Sequence, residues 1–172
     1  MSIFATITQY ARMLNNLDRW LQAAAGHAEA KKFDPEVFAA ARLAPDQFAL
    51  VQQVQSACDA AKYAAAYLSG QTAPSHPDTE KTLADLRTRI ATCVAYLGTF
   101  AEPDFAGGAE RRVAPAWMEG RSVGGGAYLT RISIPNFYFH VTTAYAILRH
   151  NGVALGKADF IGVAGWDEIA SW

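Results

Sequence analysis

Apolar residues recur at alternating steps of three and four along most of the chain, the spacing that lines one face of an α-helix. Ile3, Ile7, Tyr10, Leu14, Leu17, Leu21 and Ala24 form the first such stripe, with Gly26 as its expected stop. In "KKFDPEVFAAARL" a short connecting helix is expected, with Asp34 as its cap and Pro35 in its first position, where a missing N–H costs nothing. Pro45 and Asp46 open a second long helix whose stripe is Phe48, Val51, Val54, Cys58, Ala61, Ala65 and Leu68, ending at Gly70. After the polar loop "QTAPSHPD", Asp78 is placed to cap a third helix carrying Leu83, Leu86, Ile90, Val94 and Leu97.

The period then breaks. From Pro103 to Gly126 the chain is rich in glycine, and "RRVAPAWMEGRSVGGG" predicts a small hairpin or an ordered crossover loop. Ile134, Phe137, Val141, Ala144, Tyr145 and Leu148 mark a fourth long helix, stopped by Asn151 and Gly152. Either that helix begins near Tyr128 and is kinked at Pro135, or it starts at Pro135; the helical character of "AYLTRIS" favours the kink. The sum is an all-α four-helix bundle in a single domain, with a core over about residues 1–152 and a tail over 153–172. Phe139 points about 180° away from Phe137 on the helical wheel, so apolar groups occur almost all round the fourth helix. Its cover is expected from a second copy in a homodimer, from the crossover, or from the tail "DFIGVAGWDEIASW" with Phe160, Ile161 and Trp166.

Composition narrows the partners. The 172 residues are 51% hydrophobic, enough for one substantial core, and 15 Lys and Arg balance 16 Asp and Glu. No basic stripe suits a nucleic-acid backbone. No apolar run approaches the roughly 20 residues that span a bilayer, and the start "MSIFATITQYARML" lacks the features of a secretory signal, so a cytoplasmic protein is expected. Cys58 and Cys93 are expected to be reduced core thiols, with no spacing suited to zinc or redox work.

Candidate chemistry gathers on the fourth helix. His140 falls about 80° from the centre of the apolar stripe, at the border of the bundle interior, where a pocket residue belongs. A helical metal site would add a second ligand three or four positions on, but those positions hold Thr143 and Ala144. His150, with Arg149, reads as a cation at the helix C-terminus, and His27 and His76 as solvated loop residues. Across the bundle, Gln55 and Asp59 are an i,i+4 pair and Asp59 and Lys62 an i,i+3 pair on what is either a solvated face or a pocket wall. In the second case Asp59 would orient the His140 imidazole and fix its tautomer. Asn136 and Tyr138 flank the histidine and complete the candidate ligand-binding set of His140, Gln55, Asp59, Asn136 and Tyr138. His140 and Asp59 are the candidate acid–base pair, with Cys58 as a further nucleophile candidate. "GRSVGGG" is a loop without the following lysine that a phosphate loop needs.

The stretches "LAPDQFALVQQVQSACDAAK", "DTEKTLADLRTRI" and above all "IPNFYFHVTTAYAILRHNGVALGKADFIG" resemble a bacterial domain-of-unknown-function branch of the DinB/YfiT-like superfamily, from residue 1 to about 162. The resemblance implies a DinB-like bundle, commonly dimeric, with a long crossover between its third and fourth helices. Metal-dependent members of the superfamily bind zinc or nickel through one histidine on the second helix and an HxxxH pair on the fourth, and some are thiol-dependent transferases or hydrolases. Here His140 alone survives of that set, with Ala144 at its partner position and Gln52 and Gln55 on the second helix. A lone imidazole does not hold an ion that takes three or more protein ligands. The expectation is a protein without a metal cofactor that binds a small molecule or a partner, with a transferase or hydrolase using His140 and an atypical metal site as the alternative.

Overall fold

The computed structural model describes residues 2–163, so Trp166 and the other residues of the tail from 164 onward lie outside the described residues. Four long helices make the bundle: α1 (Ile3–Lys31), α3 (Leu50–Ser69), α4 (Leu83–Leu97) and α6 (Ile134–His150), with the single turn α2 (Val37–Ala40) between the first two. Around the bundle the order is α1, α4, α3, α6; α1 and α3 also meet across the diagonal, and the α3 alanines at 57, 61, 64 and 65 are fully buried. Tyr10 stacks on Phe137 with centroids 4.1 Å apart, and Trp20 lies edge-on to Tyr145 at 5.3 Å.

The single turn α2 starts at Val37, two residues after the expected Pro35, with Asp34 Oδ1 accepting the Glu36 N–H at 3.0 Å, and three boundaries of the long helices also differ from those the sequence suggests. Helix α1 runs through Gly26 to Lys31, because the extra turn buries Ala28 against the core, and this outweighs the roughly 1 kcal/mol that glycine costs in a helix interior. His27 therefore sits on a helix, packed against Phe33 and Phe38, and not in a loop. Helix α3 begins at Leu50 and not at Pro45. Gln52 Oε1 accepts the Ala49 N–H at 3.2 Å to close its first turn, and Phe48, left outside, is 51% exposed. At α4 the cap is Thr82, paired reciprocally with Asp85, while Asp78 turns instead to Arg89.

The crossover from α4 to α6 is ordered and contains the expected hairpin in miniature. β1 (Arg112–Val113) pairs antiparallel with β2 (Val123–Gly124), and a 3₁₀ turn at Ala116–Met118 carries Trp117 outward between them. Its two ends close on each other at Gly125, where a Cβ would lie 2.0 Å from the Gly108 carbonyl oxygen; only glycine permits that approach. Helix resumes at once as α5 (Gly125–Tyr128) and continues through a π turn at Leu129–Ser133 into α6. Proline at 135 has no N–H to give the preceding turn. The irregularity that it forces takes the form of this wider turn, in which the Ile134 N–H reaches back to the Leu129 carbonyl. An α-helix drifts about 40° every four residues, and the wider turn offsets part of that drift, keeping Tyr128, Ile132, Asn136 and His140 on one face.

Phe139 remains 53% exposed with the crossover in place. The described part of the tail is engaged elsewhere: α7 (Lys157–Ile161) docks on α1, where Phe160 stacks on Trp20 at 5.4 Å and Asn16 Nδ2 donates to the Phe160 carbonyl at 2.9 Å. No described helix is long and apolar enough to cross a membrane.

Candidate functional site

The face just described forms one wall of a cleft of about 790 Å³. Ser56, Asp59, Ala60, Tyr63 and Tyr67 of α3 form the opposite wall, and Trp117 of the crossover stands at its edge. A hollow of this volume, lined by aromatic rings and a few convergent polar groups, has the dimensions of a small-molecule site.

His140 is buried in the cleft and held by a residue that the sequence reading passed over. Its Nδ1 lies 2.8 Å from Gln53 Oε1, while Gln53 Nε2 donates to the Phe48 carbonyl at 3.2 Å. A backbone carbonyl can only accept, so the amide nitrogen must face it and the amide oxygen must face the ring. The histidine Nδ1 is then the donor, and in the neutral ring Nε2 carries the free lone pair. Nε2 makes no hydrogen bond among the described residues. Burial lowers the His140 pKa below its ordinary 6.5, which keeps the ring neutral at neutral pH.

Asp59 shares the cleft with His140 and Asn136 but does not orient the imidazole; Gln53 takes that position. The Asp59 carboxylate is committed to two buried cations, Lys62 Nζ at 2.7 Å and Arg89 NH2 at 2.8 Å, both on Oδ1. Arg89 also reaches Asp78 at 3.3 Å, Glu80 at 3.1 Å and the Pro77 carbonyl at 3.2 Å, fastening the loop before α4 to α3. Gln55 belongs to this network and not to the cleft, its Nε2 donating to Glu80 Oε2 at 2.8 Å. Tyr138 lies outside the cleft too, packed edge-on against Tyr10 and Phe137, and its hydroxyl accepts from Gln9 at 3.5 Å. The expected set thus splits: His140, Asp59 and Asn136 come together, whereas Gln55 and Tyr138 point elsewhere.

Cys58 and Cys93 are both free and fully buried, with Cys93 Sγ donating to the Cys58 carbonyl at 3.3 Å. The hydrogen bond with Cys93 and burial push the Cys58 thiol well above its ordinary value, which disfavours the nucleophilic thiolate. The neighbours of His140 are the engaged amide of Gln53 and, one turn on, Ala144, neither of which is one of the usual zinc or nickel ligands. Among the described residues, no three His, Cys, Asp or Glu gather in a way that could hold a metal ion.

His76, in the loop before α4, also titrates low, through desolvation and the nearby charges of Lys62 and Arg89. Both histidines are therefore depressed in the fold. The unfolded chain takes up protons first as pH falls through about 6.5, so their contribution is complete above that value and is lost as pH falls toward the folded pKa values. Urea midpoints are expected to drop between pH 7.5 and pH 5.5, and to drop less in His140→Gln. An unchanged slope in that variant would contradict the burial of His140.

Comparison with known proteins places this architecture. The family described as "Domain of unknown function (DUF1993)" matches residues 4–161. The chain belongs to that family. A crystal structure described as a DinB family member protein from Shewanella denitrificans is 47% identical to this DUF1993 chain, covering 93% of it and 91% of its own length, with a TM-score of 0.88. The DinB-like bundle expected from the fourth-helix fingerprint is thereby established. No curated protein matches the chain.

Proposed function

We propose that this DUF1993 protein is a small-molecule-binding bundle whose site is the cleft between α3 and α6. The observation that carries the reading is the Phe48–Gln53–His140 relay, which fixes one tautomer and leaves Nε2 as an oriented acceptor beside an aromatic hollow. A buried polar relay that orients a single ring nitrogen serves recognition better than packing, since an apolar residue would fill the position at lower desolvation cost. The same lone pair favours a second reading, with His140 as the general base of a transferase or hydrolase. The two separate in His140→Gln. Loss of turnover with binding largely kept would support catalysis; loss of binding alone, with no turnover in the parent protein, supports the binding module.

The test is a pooled-ligand screen that follows the His140 ring signals by NMR alongside the melting temperature. Ligands of the cleft are expected to move both together, because a ligand that binds only the folded state raises apparent stability. A screen in which every stabilising compound leaves the His140 ring unmoved would contradict the proposal.

A further inference from the structure

Resting on the reading of the cleft as a binding site, we infer that its ligand is a small organic cation: a protonated amine or amidine carried on a flat apolar body. Asp59 is the one formally charged side chain among the described residues that line the cleft. Its two counter-charges stand behind it, with Lys62 only 1% and Arg89 only 3% exposed, whereas the Asp59 side chain is 29% exposed. Both cations meet Oδ1, and Oδ2 takes no hydrogen bond among the described residues. The cleft therefore presents a carboxylate oxygen and withholds the cations that balance it.

Three further features point the same way. The second oriented group is His140 Nε2, an acceptor, so both fixed contacts call for N–H donors on the ligand. The remaining polar lining, Asn136, Ser56, Ser133 and the tyrosine hydroxyls at 63, 67 and 128, can donate or accept and does not oppose that demand. The aromatic wall suits a cation: Trp117 is 64% exposed, and Tyr67 stacks on Tyr63 with centroids 5.6 Å apart. Lys62 Nζ already lies over the Tyr63 ring, 4.6 Å from its centre, so that face is taken and Trp117 is the exposed ring left to a ligand. Beyond the shared residues Ser56 and Asp59, the cleft adjoins a second hollow of about 620 Å³ that adds Asp78 and Glu80 against the single cation Arg42. Arg42 NH1 is turned to the Gln47 carbonyl at 2.5 Å. Both carboxylates pair with Arg89, which does not line the hollow, so carboxylate edges with little net charge continue along the path that a longer ligand would follow.

The experiment uses three probes of nearly one shape: benzamidinium, neutral benzamide and anionic benzoate, titrated while the His140 ring signals are followed. Benzamidinium is expected to bind about tenfold more tightly than either of the others, as a partly desolvated cation over aromatic rings and a carboxylate should. Ser56→Lys, which places an ammonium beside Asp59, is expected to abolish that preference; Asp59→Asn is less suitable because it strands two buried cations. Equal affinities, or tighter binding of benzoate, with His140 perturbed would overturn the cation assignment and leave the cleft reading standing. Failure of all three probes to move His140 would overturn both. A charge preference that persists in Ser56→Lys would place the cation away from Asp59 and also overturn the assignment.

Discussion

Arg89→Met is expected to destabilise the protein by about 3–5 kcal/mol, the usual cost of removing one partner from a buried ion network. Arg89 is the hub: its two terminal nitrogens meet Asp59, Asp78, Glu80 and the Pro77 carbonyl, joining α3, the loop before α4 and α4 itself. Without it Asp59 and Glu80 stay partly buried with too little positive charge, and the loop loses its main anchor. Lys62→Met should behave differently although Lys62 is the more deeply buried cation. Asp59 keeps Arg89 and some water, and the methionine fills the apolar path of the lysine stem, so the cost should be about 1 kcal/mol or less. Urea denaturation of the two variants checks the ranking. Equal losses would mean that Asp59, and not Arg89, organises the network.

Gln53→Glu is expected to reverse the protonation of His140. A carboxylate in place of the amide would receive the Nδ1–H as a charged partner, and an opposite charge in contact outweighs burial. The His140 pKa should rise from below its ordinary value to above it, so that the ring is an imidazolium at neutral pH and Nε2 donates where it accepted. A folded pKa raised above the unfolded one contributes stability at low pH that is lost as pH rises through it, the opposite sign to the parent protein. Cation binding should weaken sharply in this variant, since Nε2 would then point a proton and a positive charge at the ligand. Gln53→Leu should leave the pKa low but free the ring to change tautomer. An NMR titration of His140 in both variants reads these outcomes directly; an unmoved pKa in Gln53→Glu would show that the 2.8 Å contact does not govern the ring.

The bundle was legible because its helices carry their burial in a simple period, and the glycine-rich break between Pro103 and Gly126 marked the crossover. Two of the missed boundaries share one cause, tertiary packing overriding a local signal: Ala28 carries α1 past Gly26, and Asp78 is worth more to Arg89 than to a helix end; the third, at Leu50, is set locally by the Gln52 cap. The site was half legible. Wheel arithmetic put His140 at the edge of the core, and the spacing of Gln55, Asp59 and Lys62 hinted at a polar wall. Their partners were not readable, because pairing across helices depends on which rotamer reaches which neighbour. Gln53 nevertheless left a trace: it sits between Leu50 and Ala57 on the inner face of α3, a polar residue at an apolar position. Lys62 left the same trace between Cys58 and Ala66. Tyr67 and Tyr128 gave none, since their edge-to-face contact at 5.7 Å joins two segments far apart in sequence.

Everything proposed for the cleft depends on one histidine held there in one tautomer. Long-range ¹H–¹⁵N correlation of the His140 ring at pH 7.5 tests it most directly. The expected result is a protonated Nδ1 and an unprotonated Nε2 whose nitrogen signal shifts when benzamidinium is added. A protonated Nε2, or a ring averaging between the two tautomers, would contradict it.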